Sequence, residues 1–270
     1  MKLRNAIVFT VTNNYVLGLK VFLKSYLACN NTMFDAVVYE EEPIAIENKE
    51  SLLKIYPKIK FLTYKNNISG KINGIRKWAI NPFNRFEIFN LDYDKIVFFD
   101  TDMIVLSKID ELMNFNIGFG AVYHSYPDGV ESAVLTKDFT YNNKKFNHRK
   151  SFNAGLMVIS RKYLASNIYD ELINVANTYE WLGNQGPLNV VFNDKVELLD
   201  NSYFVTTPEI TSKLYLSAKI LHFAGEKKPW TNSSYDLEEN FNHHVFETVN
   251  DRTVLLKSLL RYKKILKEVQ

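Results

Sequence analysis

Ile96-Val97-Phe98-Phe99-Asp100-Thr101-Asp102 is the stretch on which the reading of this chain turns. Four apolar residues in a row, β-branched then aromatic, predict a strand buried on both faces, as in a parallel sheet covered by helices. Two carboxylates one residue apart follow at its end. Ligands of open α/β sheets bind beyond the carboxyl ends of the strands, and a carboxylate pair leaving such an end can hold a hard divalent cation. A D-x-D by itself is common, because a turn acid next to a helix cap looks the same. The surrounding chain therefore has to carry the decision.

Upstream, residues 6–12 form a second apolar, β-branched run and read as a buried strand. Val16, Leu19, Leu23, Tyr26 and Leu27 fall at helical spacing within 15–28. Strands are expected at 36–39 and 58–64, with a short helix at 51–56 stopped by Pro57, a loop rich in Asn and Gly at 66–74, and a helix at 82–91 with Pro in its first turn. Strand and helix thus alternate through the first hundred residues, which predicts an α/β fold with a mostly parallel sheet flanked by helices. Both Thr10–Asn13 and Asp100–Asp102 sit at strand ends in that scheme. Downstream, strands are expected at 120–126, 156–160 and 219–224, and helices at 161–179 and 187–192. A C-terminal helix is expected at 254–269. One side of that helix carries Leu255, Leu256, Leu259, Leu260 and Leu266; the other carries Lys257, Arg261, Lys263, Lys264 and Lys267. We read it as a terminal helix docked on the domain with a solvated basic face, in preference to a membrane-surface or partner-binding helix.

Composition narrows the field. The 270 residues are 46% hydrophobic and 23% charged, which is ordinary globular usage. A formal net charge of +3 argues against a nucleic-acid partner, which would call for a basic stripe. The single Cys29 excludes a disulfide framework and a Cys-based zinc site, and its apolar helical setting predicts a buried, inert thiol. No apolar run approaches the roughly 20 residues of a membrane helix, and the start lacks the apolar core of a signal peptide, so a cytoplasmic location is expected. The N-x-S/T patterns at Asn30, Asn67 and Asn232 are read as incidental, and Trp78 and Trp230 as core residues. Neither G-x-x-x-x-G-K-[ST] nor G-x-G-x-x-G occurs, so P-loop and dinucleotide readings fail. An aspartyl phosphatase is disfavoured by Ile104, where that chemistry wants Ser or Thr.

Four further segments accompany Asp100-Thr101-Asp102: Phe9-Thr10-Val11-Thr12-Asn13, Phe152-Asn153-Ala154-Gly155, Asn184-Gln185-Gly186-Pro187-Leu188-Asn189, and His222-Phe223-Ala224-Gly225-Glu226-Lys227-Lys228-Pro229-Trp230. In this order and spacing the chain resembles the family-8 retaining glycosyltransferases, among them glycogenin-like proteins and bacterial lipopolysaccharide hexosyltransferases. The resemblance implies a GT-A fold, with a catalytic domain over 1–235 and a helical tail over 236–270. It also implies a UDP-sugar donor, a glycan or protein hydroxyl as acceptor, and Mn²⁺, with Mg²⁺ as the alternative ion. A homodimer is left open.

Carried over residue by residue, Asp100, Asp102 and His222 are the expected metal ligands, and Gly225 and Lys228 contact the diphosphate. Thr10, Thr12 and Asn13 surround uracil and ribose, with Tyr15 one residue early relative to the family's Tyr. Arg85 touches the donor. Thr101 belongs to the donor-binding turn. Asn153, Ala154 and Gly155 lie beside the transferred sugar, and Gln185 under its reactive face. The chemistry agrees with these types: departure of UDP builds charge on a phosphate, and a cation and a Lys placed there stabilise it, while His suits Mn²⁺ beside two carboxylates. Gln185, Asn184 and Asp102 form the expected catalytic set.

The chain departs from the family at Asn184, where Asp is usual. Either the Asn is a decayed catalytic residue, in which case Asn184→Asp raises turnover, or the pocket is built around a neutral amide. The rival function is a UDP-sugar-binding protein with little or no transfer. Self-glycosylation is a further expectation, with Tyr203 and Tyr215 nearest the relevant segment.

Overall fold

The computed structural model describes residues 4–64, 82–124, 138–181, 183–206, 212–224, 228–231 and 249–270. The loop expected at 66–74, Trp78, and the patterns at Asn67 and Asn232 lie outside them. In chain order the elements are β1 (Asn5–Val11), α1 (Val16–Cys29), β2 (Asp35–Glu40), α2 (Ile46–Ile55), β3 (Ile59–Thr63), a 3₁₀ stretch Pro82–Asn90, β4 (Lys95–Phe99) and β5 (Met103–Val105). Then come β6 (Phe119–Tyr123), the small hairpin β7 (Thr140–Tyr141) and β8 (Lys144–Lys145), β9 (Phe152–Ser160), α3 (Ile168–Thr178), α4 (Gln185–Phe192) and β10 (Val196–Leu199). β11 (Val205–Thr206), α5 (Ser212–Ser217), β12 (Ile220–His222) and α6 (Val249–Val269) complete the order.

Seven strands form the main sheet in the order β10-β6-β9-β4-β1-β2-β3. Only β9 runs against its neighbours; the other pairings are parallel. A second sheet, β11-β12-β5, sits at the carboxyl end of β4. Alternation along each strand assigns two faces. Ala6, Val8, Ile96, Phe98, Met157 and Ile159 pack with the 3₁₀ stretch, α3 and α4. Ile7, Phe9, Val97, Phe99, Leu156 and Val158 pack with α1 and α2. Every one of these side chains is essentially excluded from water, which is why the β1 and β4 sequences read as continuous apolar runs.

Four local readings are corrected. The helix expected over 161–179 is helical only over Ile168–Thr178. The N–H groups of Arg161 and Ala165 are drawn instead to the carbonyls of Asp94 and Phe89, and Ala165 turns the chain at φ 48°. The strand expected at 156–160 begins at Phe152, because residues 152 and 153 continue the pairing with β6. The segment at 82–90 is a 3₁₀ run rather than an α-helix. Cys29 is half-buried, with its thiol 3.7 Å from the Val105 carbonyl.

The terminal helix docks as expected, in a different phase. Ser258, Leu259, Tyr262 and Leu266 are buried in a third apolar cluster with Val21, Ile104, Leu221 and Phe223, whereas Leu256 and Leu260 face solvent. Leucines three and four apart looked like one stripe, but the polar Ser258 and the Tyr262 ring define the seated face. Among the described residues, no helix is long and apolar enough to cross a membrane.

α1 reaches the Asp-Thr-Asp turn through Gly18. A Cβ there would lie 2.6 Å from the Thr101 carbonyl oxygen and 2.8 Å from the Trp230 ring. Gly18→Ala should therefore cost about 1–3 kcal/mol through overpacking. A urea titration should show a lower midpoint at unchanged slope; an unmoved midpoint would mean that α1 can retreat from the turn freely.

Candidate functional site

The end of β4 delivers Asp100, whose N–H donates to the Gly155 carbonyl oxygen at 2.8 Å. The chain turns at the buried Thr101 and enters β5 through Asp102. β12 pairs antiparallel with β5, with His222 opposite Met103, and the Phe223 N–H donates to the Asp102 carbonyl oxygen at 2.9 Å. That pairing places the imidazole on the carboxylates. His222 Nε2 lies 3.0 Å from Asp102 Oδ1 and 4.0 Å from Asp100 Oδ2. Lys228 donates to Asp102 Oδ2 at 2.5 Å and to the Phe223 carbonyl at 3.0 Å. Arg85 pairs with Asp100 Oδ1 at 2.9 Å and lies 4.6 Å over the Phe98 ring.

Burial opposes ionisation of Asp102, yet the charges and hydrogen bonds of His222 and Lys228 outweigh it and hold the carboxyl well below the usual carboxylate range. Asp100, Asp102 and His222 each present a ligand atom, all within 4.8 Å of one another. Two carboxylate oxygens and one imidazole nitrogen are a donor set that fits a borderline divalent cation. The three expected metal ligands are thus brought together, with the expected phosphate lysine beside them.

On the β9 side, the Gly155 N–H donates to Asn153 Oδ1 at 2.8 Å. A Cβ on Gly155 would stand 2.7 Å from Asp100 Oδ2, so only glycine leaves that oxygen open. The Ala154 N–H donates to Gln185 Oε1 at 2.8 Å, which fixes the side chain at the start of α4 against the strand. Asn189, buried one turn further on, accepts from the Phe152 N–H and donates to the Phe152 and Gln185 carbonyls. Asn189 thus clamps α4 to β9. Asn184 donates from Nδ2 to the Pro82 carbonyl oxygen at 2.8 Å. Its amide ties the head of α4 to the 3₁₀ stretch that carries Arg85, and a carboxylate could not make that bond.

On the β1 side, Thr10 is buried and Thr12 half-buried at the strand end. Asn13 donates to the Pro43 carbonyl at 2.9 Å and accepts from the Ala45 N–H at 3.0 Å, so its amide holds the loop after β2. Tyr15 meets Trp230 edge-on at 5.4 Å, with Lys228 Nζ 5.7 Å from its ring. Burial, with the Asp102 and Asp100 charges, raises its hydroxyl well above the ordinary tyrosine value. Trp230 donates to the Asn14 carbonyl at 2.8 Å. Gly225 lies outside the described residues. Tyr203 donates to Glu111 at 3.1 Å and takes a bond from Lys219 at 3.3 Å, so its hydroxyl is engaged within the fold.

One residue near Arg85 was passed over in the sequence. Glu41 follows β2 within Glu40-Glu41-Glu42, a run that looks like solvated charge, yet its carboxylate is folded inward and accepts from the Tyr64 hydroxyl at 3.1 Å.

Among solved structures, the galactosyltransferase LgtC, determined with donor and acceptor sugar analogs, superposes with a TM-score of 0.67 at 20% identity, covering 97% of this chain and 95% of that one. Glycogenin-1 of Oryctolagus cuniculus is 29% identical over 157 residues, 53% of this chain and 39% of that protein. UDP-glucuronate:xylan alpha-glucuronosyltransferase 1 of Arabidopsis thaliana is 24% identical over 252 residues, 86% of this chain and 33% of that protein. The chain thus spans only a third or somewhat more of these two relatives' lengths. The LgtC likeness gives the sheet order a GT-A-like counterpart. With the sequence profile of Glycosyl transferase family 8 matching residues 6–234, the chain belongs to glycosyl transferase family 8.

Proposed function

We propose that this protein is a metal-dependent, retaining glycosyltransferase that moves a hexose, glucose first, from a UDP-sugar to the hydroxyl of a glycan or protein. The convergence of Asp100, Asp102, His222 and Lys228 at the end of β4 carries this reading. Asp100, Asp102 and His222 would hold the cation, Mn²⁺ before Mg²⁺, which when bound supplies Lewis-acid neutralisation of the diphosphate. Lys228, with Gly225 as its expected companion, places a positive charge where the leaving phosphate becomes more negative. Thr10, Thr12 and Tyr15 line the nucleoside end, and Asn13 shapes it by holding the loop at 42–45.

Gln185 supports the sugar rather than attacking it. It is an amide, and the Ala154 N–H already holds its oxygen. Asn153, Ala154 and Gly155 form the wall beside the sugar, with Arg85 facing them across Asp100. This arrangement suits attack of the acceptor hydroxyl from the side of the leaving phosphate. Residues 1–235 carry the chemistry in this reading, and the tail over 236–270 contributes α6 as the backing of α1.

Three outcomes test the proposal. UDP should raise the melting temperature only with Mn²⁺ present, by the equivalent of about 2.7 kcal/mol at roughly a hundred-fold excess over Kd; equal shifts in Mn²⁺ and in chelator would refute the metal site. Asp102→Asn should abolish Mn²⁺-dependent UDP release. It should also cost about 1–3 kcal/mol of stability, because Lys228 and His222 lose their ionic partner. Retained turnover at saturating Mn²⁺ would place the cation elsewhere. For Asn184→Asp, the bond to Pro82 decides between the two expectations: the variant should lose about 1–3 kcal/mol through two oxygens facing each other, and UDP release should not rise. A faster variant would mean that the Asn is a decayed catalytic carboxylate after all.

A further inference from the structure

Arg85 and Glu41 each hold a buried polar atom that nothing in the fold satisfies among the described residues. Arg85 Nε and Glu41 Oε2 are both buried from water, and neither has a hydrogen-bond partner among the described residues. Unsatisfied buried groups of this kind are rare, because each forfeits its hydration without return. Both side chains are fixed by their remaining contacts. Arg85 is pinned by Asp100 at 2.9 Å and by the Phe98 ring. Glu41 is anchored by its N–H on the Val11 carbonyl at 2.9 Å and by the Tyr64 hydroxyl at 3.1 Å. Tyr64 in turn stacks on Tyr39 of β2, ring centroids 5.1 Å apart and 8° from parallel.

The location is the crevice beyond β4, β1 and β2, the same crevice that holds the cation ligands. Burial pushes the Glu41 carboxyl up, and the Arg85 charge and the Tyr64 hydroxyl bring part of that back. The Glu41 carboxyl therefore lies within electrostatic reach of the Arg85 guanidinium. A hydroxyl is the group that serves both, donating to the carboxylate and accepting from the guanidinium. The charge count limits which sugar it belongs to. Arg85 already pairs with Asp100 at 2.9 Å, and its charge is also felt by Glu41. A uronate would bring its carboxylate against that of Glu41, a like-charge contact in a buried place, whereas a neutral hexose brings no charge.

We propose that Glu41 is a donor-selecting residue: with Arg85 it takes a hydroxyl of the transferred sugar and turns away uronate donors. The assignment rests on the UDP-sugar reading above. The experiment is calorimetric titration of the whole chain with UDP, UDP-glucose and UDP-glucuronate in Mn²⁺, for the native protein and Glu41→Gln. The native protein should bind UDP-glucose more tightly than UDP-glucuronate. Glu41→Gln should bind UDP as before and UDP-glucose about ten-fold more weakly, as loss of one charge-assisted bond implies, and its preference against UDP-glucuronate should narrow. Tyr64→Phe keeps the carboxylate and should show a smaller loss confined to UDP-glucose, which keeps the test available if Glu41→Gln does not fold.

Unchanged UDP-glucose binding in the folded Glu41→Gln variant would overturn the proposal. An equal loss for UDP and UDP-glucose would also overturn it, since Glu41 would then read the nucleoside or merely brace the loop. Absence of any nucleotide binding by the native protein would instead bring down the donor reading itself, and this assignment with it.

Discussion

Two carboxylates stand one residue apart at the end of a buried strand, and the architecture around them is organised to answer and aim them. A pair so placed would raise its own proton affinity if left to itself. Here Asp100 is answered by Arg85 from the 3₁₀ stretch, and Asp102 by His222 and Lys228 from the second sheet. The β5–β12 pairing is the constraint on which the rest depends, because without it neither the imidazole nor the ammonium reaches the turn. The third apolar cluster, with Tyr262 and Leu266 of α6 beneath Leu221 and Phe223, holds that small sheet in place.

β9 plays the matching role on the other side. As the one antiparallel strand of the main sheet, it presents its N-terminal end to the crevice, where its neighbours present their carboxyl ends. Three successive residues then serve three partners: Asn153 turns back on the Gly155 N–H, Ala154 fixes Gln185, and the Gly155 carbonyl receives Asp100. The carboxylate end and the amide end of the site are thereby set by one rigid piece of backbone. Side chains oriented by backbone bonds lose little further freedom when a ligand arrives, which is the physical meaning of a preorganised site.

Much of this was legible in the sequence because the relevant signals are local. The apolar runs of β1 and β4 announce burial on both faces, and Asp100 and Asp102 follow one of them directly. His222 and Lys228 were reached through a motif and not through geometry, since nothing within the segment 219–230 says what it will lie against. The misreadings have a common cause. Residues 161–167 have helix-compatible composition, but the N–H groups of Arg161 and Ala165 are claimed by the carbonyls of Asp94 and Phe89, far away in the chain. The phase of α6 is set by a cluster assembled from β5, β11 and β12. Glu41 hid within three consecutive glutamates, where only the neighbouring Tyr64 and Arg85 distinguish it. Asn184 looked like a lost charge until Pro82 supplied the acceptor for its amide.

The distance in sequence between the carboxylates and their counter-charges also has a consequence in time. Lys228 comes 126 residues after Asp102. At a synthesis rate of about 5–20 residues per second, the acid pair spends roughly 6–25 seconds on a growing chain before its lysine exists. During that interval the main sheet can assemble from β1, β2, β3, β4, β6 and β9, with Arg85 already made for Asp100 while Asp102 still waits for His222 and Lys228. Closing the turn is therefore a late event, completed only when β12 and the helix behind it have been made. A nascent chain halted before that point would carry a nearly complete sheet with Asp102 open at its edge, lacking both groups that answer it in the finished protein.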